Sequence, residues 1–116
     1  LVGREIPVFA DEYVDQNFGT GCVKVTPSHD PNDWEMGQRH HLEFINIFNE
    51  DATLNGNVPD NFVGLDRFEA REVVIEQFKE LKLMDKIEEY VHKVGYSERG
   101  NVPIEPYESE QWFMNM

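Results

Sequence analysis

Between Gly19 and Gly37 the chain reads GTGCVKVTPSHDPNDWEMG, and four side chains in it carry usable chemistry: Lys24, Thr26, Asp30 and Asp33. In CVKVT, Val23 and Val25 alternate with Cys22, Lys24 and Thr26. An extended backbone therefore puts Lys24 and Thr26 on one face, projecting the same way. Asp30-Pro31 then reads as a helix start, because aspartate caps free N–H groups and proline gives up no needed donor. A carboxylate at a helix N-terminus is kept ionised by the dipole and those N–H groups, which makes it a receptor for an ammonium group. Beside the two acids, the strand face offers a cation and a hydroxyl to an oxygen-bearing substrate. A plainer reading uses the same residues: Asp30 and Asp33 as cap and first-turn acid, Lys24 and Thr26 as the solvent face of a strand.

Other reactive residue types point to less. The dipeptide His29-Asp30 resembles a piece of metal-dependent phosphohydrolases, but neither HExxH nor CxxC occurs. His40 and His41 are neighbours on the expected helix and diverge by about 100°. With His92 they make no ligand pattern, and no metal site is expected. Cys22 is the single cysteine, which excludes an internal disulfide and a thiolate cage. No helix N-terminus or base sits beside it in sequence to make it a nucleophile. Gly19-Thr20-Gly21 is too short for a phosphate loop and reads as a tight turn.

The elements that must position these residues belong to a chain of 116 residues, one domain by size. Eight Phe, four Tyr and two Trp supply core material and argue against global disorder. Ten basic against 23 acidic residues give a net charge of −13, which opposes broad contact with a phosphate backbone. A small pocket can still admit one nucleotide end. No apolar run approaches the roughly 18 residues of a bilayer span and nothing resembles a signal peptide, so no membrane contact and a cytoplasmic location are expected. Leu1 in place of a start methionine suggests a piece of a longer protein. Residues 1–17 read as extended, 22–26 as a strand, 31–41 as a helix weakened by Gly37, and 44–48 as a buried strand. Residues 49–64 read as a surface loop. A second helix follows Asp66, with Glu69 as capping-box acid and an apolar stripe of Phe68, Val74, Ile75, Phe78 and Leu81. Strands are expected again over 87–96 and 111–113.

The string FGTGCVKVTPSHDPNDWEMGQRHHLEFINIF, Phe18 to Phe48, resembles the editing-domain core of the valyl-tRNA synthetases, class I aminoacyl-tRNA synthetases. The resemblance continues through FVGLDRFEAREVVIEQFKELKL and HKVGYSERGNVPIEP to SEQWFMNM, where that family's chain re-enters the catalytic body. Isoleucyl and leucyl relatives keep the GTG turn and the Pro-x-His segment but differ at the Lys-Val-Thr and Asp-Pro-Asn-Asp positions. Cys22 replaces a usual small residue and Ser28 a usual alanine. The family's threonine-rich segment with an Arg-Pro-Glu-Thr core does not occur in this sequence, so one wall of the pocket is expected from elsewhere.

The resemblance implies a mixed α/β fold: a twisted, partly open β-barrel with two principal helices. Residues 1–116 would be the C-terminal part of an inserted editing domain, with 109–116 starting the return to the catalytic domain. It implies proofreading by ester hydrolysis of threonyl-tRNA(Val), within an enzyme that joins valine to tRNA(Val) using ATP. A hydrophobic synthetic pocket discriminates weakly against an added hydroxyl, whereas a site that demands the hydroxyl discriminates well. Carried over residue by residue, Asp30 would hold the α-ammonium. Lys24, Thr26 and Asp33 would surround the threonine hydroxyl and the ester, with Asp33 accepting from that hydroxyl. Phe18 would pack on the terminal adenosine. The attacking group would be a positioned water helped by a tRNA terminal hydroxyl. No cofactor belongs to this region; ATP and magnesium would serve the catalytic domain. The partners implied are the tRNA(Val) acceptor end carrying threonine and the rest of the synthetase chain. The alternative is a non-catalytic structural or binding segment whose acids only cap a helix.

Overall fold

Two helices, and no β-strand among the described residues, make up the regular structure of the computed structural model, which describes residues 2–116. Helix α1 spans Pro31–Arg39 and helix α2 spans Arg67–Glu80. The chain divides into two compact units. One comprises the described residues up to Asn46 together with Glu108–Met116, the other Ile47–Tyr107.

Helix α1 starts where its sequence says it should. Asp30 is extended (φ −143°, ψ 129°), and its carboxylate accepts from the N–H groups of Asn32 (2.8 Å) and Asp33 (3.2 Å). The helix ends at Arg39, two residues before the expected limit. There His41 turns left-handed (φ 52°) and Leu42 N–H donates to the Gly37 carbonyl at 2.9 Å. Helix α2 stops the same way, with Lys82 at φ 57° and Leu83 N–H on the Phe78 carbonyl at 2.9 Å. Both left-handed positions carry a β-carbon where glycine would be least strained.

Gly37, read from sequence as a weakness, is a packing requirement. A β-carbon there would stand 2.8 Å from Pro27 Cβ and 2.9 Å from Phe44 Cζ. Its absence lets α1 lie against the Thr26–His29 turn, which is closed by His29 N–H on the Thr26 carbonyl at 3.1 Å. Met36 is fully buried, and Trp34 meets Phe44 edge-on.

The second unit has its own small core. Leu54, Phe62 and Ala70 are buried, with Ile47, Phe48, Val58, Leu65, Val73 and Val74 packed against them. Two of the three buried residues come from the segment expected as a surface loop. Its turns are real: Asp51 and Asn55 side chains accept from the N–H groups two residues on, Thr53 and Asn57. They fold Leu54 and Phe62 inward. The buried face of α2 is Ala70, Val73 and Val74. Phe68 and Leu81, expected in the stripe, are exposed, and the Arg67 guanidinium lies 4.7 Å from the Phe68 ring centroid.

The expected mixed α/β, barrel-like fold is overturned. The segments 22–26, 44–48, 87–96 and 111–113 form no strand, and among the described residues only single antiparallel bridge pairs occur: Phe48 with Leu54, Thr53 with Asp66, Tyr96 with Pro103. Alternation sets which way side chains point, but a strand also needs a neighbour to take its N–H groups. In 22–26 that donor goes elsewhere, since Thr26 N–H is bound by the Asp33 carboxylate. In 87–96 the apolar face stays uncovered, with Val91 96 % exposed.

These contacts set two opposite expectations for urea unfolding. Gly37→Ala improves helix propensity yet lowers the unfolding free energy, by about 1–3 kcal/mol of overpacking. Lys82→Gly raises it by about 1 kcal/mol, through relief of the left-handed strain.

Candidate functional site

The junction between residues 24 and 33 builds a chain of three side chains. Lys24 Nζ donates to Thr26 Oγ1 at 3.0 Å, and Thr26 Oγ1 donates to Asp33 Oδ2 at 3.2 Å. The same Asp33 oxygen accepts from Thr26 N–H at 2.7 Å. Asp33 is 7 % exposed, Thr26 half-buried and Lys24 exposed, so the chain runs from the interior to solvent. Asp30 joins it through its cap bond to Asp33 N–H. Two turns of sequence logic produce this. The Pro27 to His29 turn reverses the chain onto α1, and the helix presents its third residue back toward the segment that precedes it.

The arrangement fixes what each group can offer. The Thr26 hydroxyl has one proton, and that proton is committed to Asp33. Thr26 therefore presents an acceptor lone pair to any ligand. Lys24 keeps donors beyond the one directed at Thr26, for a carbonyl or a developing oxyanion. Asp30 lies half-buried at the helix N-terminus, with a carboxylate fixed by two N–H groups.

The structure thus brings Lys24, Thr26, Asp30 and Asp33 together. Phe18 it places on a preceding turn, 67 % exposed, with its N–H on the Asp15 carbonyl and its carbonyl accepting from Gly21 N–H. Cys22 is exposed. Among the described residues, no group of three His, Cys, Asp or Glu side chains converges as a metal ligand set.

Contacts between distant positions escaped sequence reasoning. Ser28 is buried and its hydroxyl donates to Glu108 Oε2 at 3.1 Å, across 80 positions of sequence. Asp11 accepts from Tyr13 N–H (2.9 Å), from Arg39 Nη2 (2.9 Å) and Nε (3.3 Å), and bonds His40 Nε2 (2.7 Å). These bonds, the Tyr13 N–H foremost, then His40 and Arg39, hold its carboxyl well below the ordinary 3.8, at about 2, against a smaller opposite push from burial. The only sequence signal for the contact was opposite charge at long range, which many pairs share.

Comparison with known proteins adds a family. Residues 1–92 match the model of the family described as leucyl-tRNA synthetase, editing domain. The chain belongs to this editing-domain family. Over all 116 residues it is 58 % identical to a valine–tRNA ligase of Prochlorococcus marinus and 55 % identical to that of Geobacillus stearothermophilus. The valine–tRNA ligase of a Synechocystis species is also 58 % identical over the whole chain. The resemblance to valyl-tRNA synthetases read from Phe18 to Phe48 is borne out. The chain spans 12 % or 13 % of the length of these relatives. No helix among its described residues is long and apolar enough to cross a membrane.

Removing Asp33 strands the Thr26 N–H and hydroxyl at once. Asp33→Ala is expected to cost about 1–3 kcal/mol in urea unfolding, against about 1 kcal/mol for the cap alone in Asp30→Ala. Asp11 sets an acid limb. Its folded pKa is depressed, so its contribution is complete above 3.8 and is lost as pH falls from there through about 2. Stability measured over that window should fall less steeply in Asp11→Asn than in the parent chain.

Proposed function

We propose that the chain carries the hydrolytic site that clears threonyl-tRNA(Val), within a cytoplasmic enzyme that ligates valine to tRNA(Val) with ATP. The observation that carries this reading is the Lys24–Thr26–Asp33 chain beside the Asp30 cap. Asp30 takes the substrate's α-ammonium at a helix N-terminus, where an ionised carboxylate is favoured. The threonine side-chain hydroxyl donates to the acceptor side of Thr26 and Asp33. Valine has no such donor, and its binding would leave these polar groups unpaired.

Lys24 faces the ester region and steadies negative charge as water adds to the carbonyl. No side chain in the cluster acts as a nucleophile; the water is positioned with help from the terminal hydroxyl of the tRNA. Phe18 gives the terminal adenosine a flat apolar face, for which its exposure suits it. ATP and magnesium serve the synthetic domain, outside residues 1–116. Residues 109–116 lead back toward that domain, a role consistent with the fully exposed Trp112 and the exposed Phe113. The partners are the threonine-bearing acceptor end of tRNA(Val) and the remainder of the synthetase.

A second reading is favoured by the cap bonds themselves. Asp30 already accepts from Asn32 and Asp33 N–H groups, which satisfies a purely structural role. Deacylation separates the two. In the full-length enzyme, Asp30→Ala and Asp33→Ala should each let threonyl-tRNA(Val) accumulate, with hydrolysis down by at least about 10². Stability loss with unchanged hydrolysis in both would leave only the structural role. Residues 1–116 alone are expected to hydrolyse threonyl-tRNA(Val) far more slowly than a version extended upstream, which restores the threonine-rich wall.

A further inference from the structure

We propose that Asp11 is a positioning residue for the deacylation site, fixing the far end of α1 against the segment that carries Phe18. The inference rests on the threonyl-tRNA(Val) reading above. Its basis is where the carboxylate sits. The Asp11 side chain is 5 % exposed and gathers donors from two directions. From its own segment it takes Tyr13 N–H; from the end of α1 it takes Arg39 through two nitrogens, and it pairs with His40. Arg39 is the last residue of α1 and His40 its cap. Phe9 stacks on the His40 ring at 4.1 Å between centroids, which closes the contact from the other side.

From Asp11 a run of short turns leads to Phe18. Val14 N–H donates to the Asp11 carbonyl, Asn17 N–H to the Asp15 carboxylate, and Phe18 N–H to the Asp15 carbonyl. At the other end of α1, roughly 13 Å away for nine residues, stand Asp30 and Asp33. One carboxylate therefore anchors both the helix that holds the ammonium receptor and the segment that holds the adenosine face. An exposed ion pair between long side chains would add little. This one is buried on the acid side and bidentate on the arginine side, so it fixes an angle as well as a distance. A substrate that must reach Phe18 and Asp30 together depends on that spacing, and small misplacements at a distance from the chemistry cost large factors.

The test uses the full-length enzyme and steady-state deacylation of threonyl-tRNA(Val). Asp11→Asn and Arg39→Gln should each raise KM about tenfold with kcat within about twofold, the signature of lost ground-state binding. Phe18→Ala should raise KM as well, and Asp11→Asn combined with Phe18→Ala should raise it no further, because the spacing has no value without the ring. Valylation of tRNA(Val) and the melting temperature report folding. If Asp11→Asn loses both, Arg39→Gln, which keeps the Tyr13 bond, decides the matter. A KM unchanged in Arg39→Gln, or effects of Asp11→Asn and Phe18→Ala that multiply, overturns the inference. If Asp30→Ala and Asp33→Ala abolish deacylation while KM stays put in both Asp11→Asn and Arg39→Gln, the positioning role alone falls. If those two leave deacylation intact, the deacylation reading falls and this inference with it.

Discussion

Asp33 Oδ2 accepting from Thr26 N–H at 2.7 Å is the contact on which the rest of the site depends. It fastens the first turn of α1 to the extended segment before it, and so decides the direction from which the Pro27 to His29 turn must return. The same oxygen accepts the Thr26 hydroxyl proton, which leaves Thr26 an acceptor and aligns Lys24 behind it. A buried carboxylate is tolerated here because its nearest neighbours are donors. One Asp33 oxygen therefore both holds the first turn of α1 and orients the Thr26 hydroxyl.

That Lys24, Thr26, Asp30 and Asp33 come together was legible because the determinants are local. Asp30-Pro31 encodes a helix start in two residues, and period-two alternation places Lys24 and Thr26 on one side. Nine positions separate Lys24 from Asp33, so one turn suffices to bring them together. What could not be read was anything set by distant partners. Asp11 and Arg39 are 28 positions apart, Ser28 and Glu108 are 80. Gly37 was misread for the same reason: its value lies in Pro27 and Phe44, which a helix-propensity argument does not see.

The fold class failed on a related point. Alternating segments such as 87–96 have the composition of strands, and resemblance to a barrel-like family reinforced that reading. Strands, however, are made by pairs of segments, and in the described residues these segments find no ladder. Helices, whose hydrogen bonds are internal, were correctly placed, to within two residues at the C-terminus of α1. The apolar stripe of α2 was half right because it rested on side-chain size. The helix buries small Ala70 against Leu54 and Phe62 and leaves the large Phe68 to the arginines.

The Ser28–Glu108 bond has a consequence in time. The unit that holds the site is assembled from two separated stretches, while Ile47–Tyr107 is continuous. On a ribosome, the continuous unit leaves the exit tunnel whole before Glu108 follows it. The unit that contains Ser28 must wait for its Glu108 partner until 80 further residues have been made. Translation order thus builds the intervening unit first and completes the unit around α1 last.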